Sequence, residues 1–363
     1  MRYLFVIQGE GRGHMTQAIA LAAMLRRNGH QVVEVLVGAC SNRELPQFFV
    51  DKIEAPIVRY KSPALDYGHG GKKGKIWRSI LKNSRPSYGF NWLGSLNLIA
   101  SRIRVNRPDV VINFYELLMG VATMFHRIKT PVISIAHQFM LEHPQYEHKG
   151  SSSQAQWMMA TMNNFCSHGS RKILALSFYD MPNSSCRVHR KKVVVVPPLL
   201  RPELFELEAV RGDYILGYML NPAFLDDILF WKRSHPEVKI HLFWDKAGEP
   251  EVQERVEGLW LHRLNDRKFI EYMAGSAGYI TTAGFESVCE AFYLGKAVMM
   301  IPAHIEQQIN ARDAAGAGVG IISETFDIPR LNNYLPHYNT DNSEFREWVN
   351  SAEKIFLREL TKI

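Results

Sequence analysis

Short apolar runs rich in Val, Ile and Leu recur along the chain. Each gives way to a stretch whose apolar positions repeat at helical spacing, the signature of alternating strands and helices in a parallel sheet. The strands read as Tyr3–Ile7, Gln31–Val37, Ile57–Tyr60, Pro108–Asn113, Thr130–Ala136, Lys172–Leu176 and Val193–Val196. Between them the spacing predicts helices over Met15–Arg27, Ile76–Lys82, Phe90–Val105, Glu116–Arg127 and a Met-rich Gln154–Phe165. Pro197-Pro198 to Gly212 reads as a linker, after which the pattern restarts at Tyr214–Gly217. Strands follow at Lys239–Phe243, Leu259–Leu261, Gly278–Thr282, Ala297–Ile301 and Val319–Ile322, and helices at Phe224–Arg233, Arg267–Gly275 and Ser343–Leu360. The expected class is α/β, built as two Rossmann-like domains. Their bounds are 1–198 and 213–342, with a linker at 199–212 and a last helix in 343–363.

The most informative stretch is Thr281–Ala311, a strand, a glycine turn at Gly284, a helix, a strand ended by Pro302, and a further helix. Ser287 falls in the first helical turn, beside backbone N–H groups with no intrahelical partner, a ready site for a phosphate or diphosphate. Glu290 is one turn further on the same face. A carboxylate there repels phosphate, but it can accept two hydroxyl hydrogens from a ribose. Glu306, Gln307 and Asn310 follow the second strand, and an acid–amide pair at a sheet mouth can hold the vicinal hydroxyls of a hexose. Ribose, diphosphate and sugar in order make a nucleotide-sugar donor.

These residues resemble the donor-binding motif of GT-B-fold glycosyltransferases, and among them the peptidoglycan-precursor N-acetylglucosaminyltransferase and related UDP-sugar enzymes. The resemblance runs motif by motif over 262–316, through the opening loop over 1–30, and by topology elsewhere. It implies two domains facing across a cleft, the acceptor side first and the donor side second, with the last helix crossing back. It also implies diphosphate contacts at Ser287 and the backbone of Gly284, Phe285 and Glu286, ribose contacts from Glu290, and sugar-hydroxyl contacts from Glu306 and Gln307, with Asn310 also on the donor side. The nucleobase would lie near Arg263 and Leu264, clasped by backbone. Two departures stand out: Lys296-Ala297 replaces the usual x-Pro, and Tyr218-Met-Leu-Asn-Pro222 replaces a Gly/Ser-rich phosphate loop.

The first strand opens into Gln8-Gly-Glu-Gly-Arg-Gly-His14. Its glycines at Gly9, Gly11 and Gly13 miss the G-x-G-x-x-G spacing, and the next strand ends at Gly38 rather than an acid, which disfavours NAD. The same loop resembles the one opening the acceptor domain of those glycosyltransferases. Carried over, His14 is the candidate base, with Glu10 in reserve, and Gly11 and Gly13 border the acceptor side. Tyr115, Glu116, His137 and Gln138 follow two parallel strands and belong at that same end. The resemblance further implies inversion at the anomeric centre by direct displacement. No Asp-x-Asp metal motif occurs, so no metal and no cofactor beyond the donor is expected. A UDP-sugar epimerase or hydrolase on the same fold is an alternative, as is a non-catalytic nucleotide-sugar binder.

Composition narrows the setting. With 46% apolar and 22% charged residues the chain is an ordinary globular one. It has no apolar run of about 18 residues that would span a membrane. The opening apolar segment is too short for a signal peptide, and the four cysteines form no C-x-x-C pair, so a cytoplasmic setting is expected. The net charge of +7 is unevenly spread: residues 1–200 hold 26 Lys+Arg against 11 Asp+Glu. Lys72, Lys73, Lys75, Arg78 and Lys82 lie beside Trp77, Ile80 and Leu81, the make-up of an interfacial segment. A peripheral place on the inner membrane face and a lipid-linked acceptor would follow; a solvated helix packed on the sheet is the plainer account. No nucleic-acid motif is present, and nucleic acid is not expected as a partner.

Overall fold

A computed structural model describes residues 1–39, 44–63, 86–146, 153–181, 185–188, 191–219, 224–245 and 248–362. The basic segment from Lys72 to Arg85 and the expected helix at Ile76–Lys82 lie outside the described residues. The chain forms two compact units, Met1–Arg201 together with Trp348–Ile363, and Pro202–Glu347.

The first unit is built on an eight-stranded sheet. Its strands are β1 (Arg2–Gln8), β2 (Gln31–Ala39), β3 (Ile57–Lys61), β4 (Val110–Phe114), β5 (Val132–Ala136), β6 (Ser170–Leu176), β7 (Ser185–Val188) and β8 (Lys191–Val196). They run in the order β3-β2-β1-β4-β5-β6-β8-β7, parallel except for β7 at the edge. Helices α1 (Arg12–Arg27), α2 (Gln47–Ile53), α3 (Pro86–Asn106), α4 (Leu117–Phe125) and α5 (Ser153–Cys166) make the connections. The central strands are buried along their length because helices cover both faces, so they read as continuous apolar runs. Leu4, Val6, Leu36, Ile99 and Val111 form one core cluster, and Ile173, Ala175, Val193 and Val195 belong to a second.

The second unit has seven strands: β9 (Tyr214–Met219), β10 (Lys239–Trp244), β11 (Val252–Val256), β12 (Leu259–Arg263), β13 (Gly278–Thr281), β14 (Val298–Met300) and β15 (Gly320–Ile322). Their order is β11-β12-β10-β9-β13-β14-β15, with only β11 antiparallel among the described pairs. The helices are α6 (Phe224–Lys232), α7 (Asp266–Gly275), α8 (Phe285–Tyr293), α9 (Ile305–Gly316) and α10 (Ile328–Tyr334). Ile215, Ile228, Ile240, Leu242 and Leu261 lie at the centre of its core.

The expected single helix over 343–360 is two, α11 (Ser343–Asn350) and α12 (Ala352–Thr361), meeting at Ser351. There the Ser351 hydroxyl donates to the Trp348 carbonyl and competes with the helical ladder. Helix α12 packs into the first unit through a buried ion pair. Lys172 Nζ donates to Glu359 Oε2 at 2.9 Å and to the Glu359 carbonyl at 2.6 Å.

Both sheets change winding direction once, between β1 and β4 and between β9 and β13. Open α/β sheets bind ligands beyond the carboxyl ends of strands at such points. The loop Gln8–His14 and the turn Thr282–Ser287 each follow a strand that flanks one of these points.

Candidate functional sites at the two switch points

In the second unit, β13 leads into a tight turn with Ala283 at φ 66°, the left-handed region that Ala seldom adopts. Side chains of α9 hold this turn. Asn310 Nδ2 donates to the Ala283 carbonyl at 3.2 Å, and Gln307 Nε2 donates to Thr282 Oγ1 at 3.2 Å. Gln307 Oε1 in turn accepts from the Ala303 N–H at 2.9 Å. Gln307 and Asn310 are therefore buried braces of the turn rather than open ligands for a sugar. Glu306, in the first turn of α9, stays half-buried and is the member of that group nearest to solvent.

The turn delivers the start of α8 at Gly284, which has no side-chain cap. The positive end of the helix dipole at such a start favours an anion. Ser287 is half-buried, and its hydroxyl donates to the Gly284 carbonyl at 3.3 Å. Phe285 and Glu286 are buried. Glu290 has no exposed surface, so a ribose would reach its carboxylate only after covering side chains move. Arg263 at the end of β12 is exposed, and Leu264 just after it is half-buried. Their N–H groups are taken, by the Glu251 carbonyl at 2.9 Å and the Trp244 carbonyl at 3.0 Å. Any nucleobase contact there falls to side chains or carbonyl oxygens.

Lys296, standing where the resemblance expects x-Pro, is a buried tether. Its ammonium donates to the Val210 carbonyl at 2.7 Å and the Ser276 carbonyl at 2.9 Å. Burial lowers its pKa to about 8. Tyr218 is half-buried near the end of β9, and residues 220–223 of the departing loop lie outside the described residues.

In the first unit, the Gly9 N–H donates to the Gly38 carbonyl at 2.7 Å. A Cβ on Gly9 would meet that oxygen at 2.7 Å, so only glycine fits there. Gly11 is the N-cap of α1 and is exposed, Gly13 and Glu10 are half-buried, and His14 sits in the first turn. Surrounding protein lowers the His14 pKa to about 4, while its hydrogen bond with Gln17 opposes the shift. The ring is therefore neutral at ordinary pH and able to accept a proton.

The four polar residues after β4 and β5 are all buried, and those whose contacts are resolved brace backbone or other side chains. Tyr115, at φ 55°, donates its hydroxyl to Asn163 Oδ1 at 2.8 Å. Glu116 caps α4 by accepting from the Leu118 N–H at 3.1 Å, and it accepts from the Ser62 hydroxyl at 2.5 Å. Burial raises its pKa to about 7, against the pull of the Ser62 and Leu118 bonds. Gly38 makes room for it: a Cβ there would lie 2.9 Å from the Glu116 carboxyl carbon. His137 Nδ1–H donates to the Leu176 carbonyl at 2.7 Å, and the Gln138 carbonyl accepts from Asn163 Nδ2. These polar groups do sit at the carboxyl ends of parallel strands, but pairing with the protein turns them inward.

Sequence reading passed over Gln17, Ser62 and Asn113. Gln17 had a legible signal, three residues after His14 on one helix face. Among the described residues no group of three His, Cys, Asp or Glu side chains is placed to hold a metal ion. Among them, too, no helix is long and apolar enough to cross a membrane.

Comparison with known proteins adds independent weight. The model of glycosyl transferase family 1 matches residues 1–338. An uncharacterized glycosyltransferase of Methanosarcina acetivorans is 28% identical over 355 residues, covering 88% of this chain and 83% of that one. In fold the chain is similar to Phytolacca americana UGT2, solved with UDP-2fluoro-glucose and pterostilbene. The TM-score is 0.66 at 12% identity, with 99% of each chain covered. It is also similar to Medicago truncatula UGT71G1, solved with UDP-glucose, at a TM-score of 0.62 and 12% identity over 99% of this chain and 98% of that one. With two Rossmann-like units of the GT-B fold and a family match over most of its length, the chain belongs to glycosyl transferase family 1.

Proposed function

We propose that the chain moves a hexose or N-acetylhexosamine from a UDP-sugar to an acceptor hydroxyl, with inversion and without a metal. The second unit takes the donor and the first takes the acceptor. The observation that carries this reading is the braced turn at Thr282–Ser287, which presents an uncapped helix start at a switch point. The diphosphate rests on the first-turn N–H groups of α8 and the Ser287 hydroxyl. These dipoles stabilise the charge that grows on the leaving group. Glu306 is the sugar-hydroxyl partner, and Glu290 meets the ribose once its cover opens.

His14 takes the acceptor proton on its ring nitrogen as the acceptor oxygen bonds to the anomeric carbon. The bond from that carbon to the diphosphate oxygen breaks, and its electron pair leaves with UDP. Glu10 is the reserve base. UDP-sugars held by two proteins of similar fold support the donor class. The excess of positive charge in residues 1–200 supports an anionic, lipid-linked acceptor at a membrane face.

The test is a panel of UDP-sugars, measuring free UDP with and without membrane extract, for the wild type, His14→Ala and Ser287→Glu. An acid in the first turn favours the helix but repels a diphosphate. Ser287→Glu should therefore stay folded and bind UDP at least about 10-fold more weakly by calorimetry. His14→Ala should lose turnover by about 10²–10⁴-fold while keeping UDP affinity. Unchanged UDP affinity in Ser287→Glu would remove the donor assignment. UDP release that needs no acceptor would favour hydrolysis.

A further inference from the structure

We propose that Gln17 is the positioning residue of the base, its side-chain amide fixing the His14 imidazole so that Nε2 is the nitrogen left to take the acceptor proton. This rests on the reading of His14 as the base. Gln17 lies one turn along α1 from His14 and is 3% exposed. Its Oε1 lies 3.2 Å from His14 Nδ1. An amide oxygen can only accept, so Nδ1 carries the proton and the lone pair falls on Nε2. The opposite amide orientation would put an N–H against Nδ1 and protonate Nε2, which would leave no base on the outer nitrogen.

A second contact fixes the plane of the ring. His14 stacks on Tyr115 with centroids 6.0 Å apart and planes 24° apart. Tyr115 is itself pinned at both ends. Asn163 holds its hydroxyl, and Asn113 Oδ1 accepts the Glu116 N–H at 2.8 Å, closing the turn in which Tyr115 adopts φ 55°. Backbone strain of that kind persists where surrounding structure over-determines it. The imidazole is thus held in rotation by Gln17 and in plane by Tyr115.

The choice of an amide has a chemical consequence. A carboxylate on Nδ1 would stabilise the imidazolium and raise its pKa by about 1 to 3. An amide orients the ring without that charge, so burial dominates and the ring stays neutral well into acid. The base is always in its working form, at the cost of lower basicity.

The experiment uses the full chain labelled with ¹⁵N-histidine. Wild type should show the His14 ring protonated at Nδ1, titrating well below an ordinary histidine. Gln17→Glu should keep that tautomer and raise the His14 pKa by about 1 to 3, moving the acid limb of the kcat profile upward with it. Gln17→Ala should lose the single tautomer and lower kcat about 10²-fold with KM for the UDP-sugar unchanged. An Nε2-protonated ring in wild type, or no pKa change in Gln17→Glu, would overturn the role of Gln17. With His14→Ala inactive, those results would leave the base assignment standing. Full turnover in His14→Ala would overturn the base and, with it, the meaning of Gln17.

Discussion

The second unit holds a pair of histidines whose protonation should set its acid limit. His241 on β10 and His262 on β12 meet with Nδ1 and Nε2 2.8 Å apart. Trp260 stacks on His241 at 4.6 Å, and Phe243 stacks on His262 at 4.7 Å. Burial lowers both pKa values from 6.5 to about 4, with mutual repulsion adding to the effect on His241 and Lys268 to that on His262. Lowered pKa values mean that the unfolded chain binds protons the folded chain refuses. Stability is therefore full above pH 6.5 and falls as the pH drops toward 4. At pH 5 an unfolded ring lies 1.5 pH units below its pKa, so each ring costs about 2 kcal/mol, and the pair about 4 kcal/mol, at about 1.4 kcal/mol per pH unit.

The perturbation is His241→Phe, a ring of similar volume in an aromatic surround that also includes Tyr214 and Tyr272. Urea unfolding followed by tryptophan fluorescence at pH 8 and pH 5 gives the stability lost on acidification in each protein. That loss should shrink by about 2 kcal/mol in the variant, whatever other groups contribute to both. Equal losses in wild type and His241→Phe would refute the reasoning and leave the two rings titrating as in the open chain.

Two further predictions concern the first unit. Glu116 has a raised pKa, so it stabilises the fold below its unfolded value near 4.5 and loses that contribution as the pH rises through about 7. Glu116→Gln should raise the midpoint urea concentration at pH 8 by the equivalent of about 1–3 kcal/mol and leave pH 4 unchanged. Lys172→Met should destabilise the unit by about 1.5–3 kcal/mol in thermal unfolding, because it removes one of three cations on the Glu359 carboxylate and leaves Arg358 and Lys192.

Much of the fold could be read from the chain because both sheets are parallel and covered. Runs such as Tyr3–Ile7 and Val193–Val196 are apolar on both faces and admit few other readings. The strands that escaped are edges. β11 has no buried residue in Val-Gln-Glu-Arg-Val, and β7 is Ser-Cys-Arg-Val paired antiparallel to β8. Neither has the apolar content that marks a strand, because an edge is held by its neighbour's backbone. Helix α2 was missed for a related reason: only Phe49 and Ile53 are buried in it.

At the candidate sites, position was legible and orientation was not. Spacing put Ser287 in the first turn of α8 and Gln307 and Asn310 in α9. It could not show that the two amides turn back, Asn310 to the Ala283 carbonyl and Gln307 to the Thr282 hydroxyl. The same holds at the carboxyl ends of β4 and β5, where the Tyr115 hydroxyl, the Glu116 carboxylate and His137 Nδ1 are engaged by the protein. Periodicity reports which face a residue is on. A hydrogen-bond partner on another element depends on the packed fold.

The first unit is made from both ends of the described chain, and this orders the birth of the protein. Residues Pro202–Glu347 are synthesised before α12 is complete, so every residue of the second unit is available before the first unit has its last helix. The unit that begins at Met1 is still lacking α12 at that moment, although its eight strands were synthesised long before. Until Glu359 emerges, the Lys172 ammonium has neither its carboxylate nor the carbonyl of the same residue. In sequence order the second unit is therefore complete before the first, and α12 is the piece that completes the older half. A chain ending before residue 359 would hold every residue of the second unit but leave the first without the partner of Lys172.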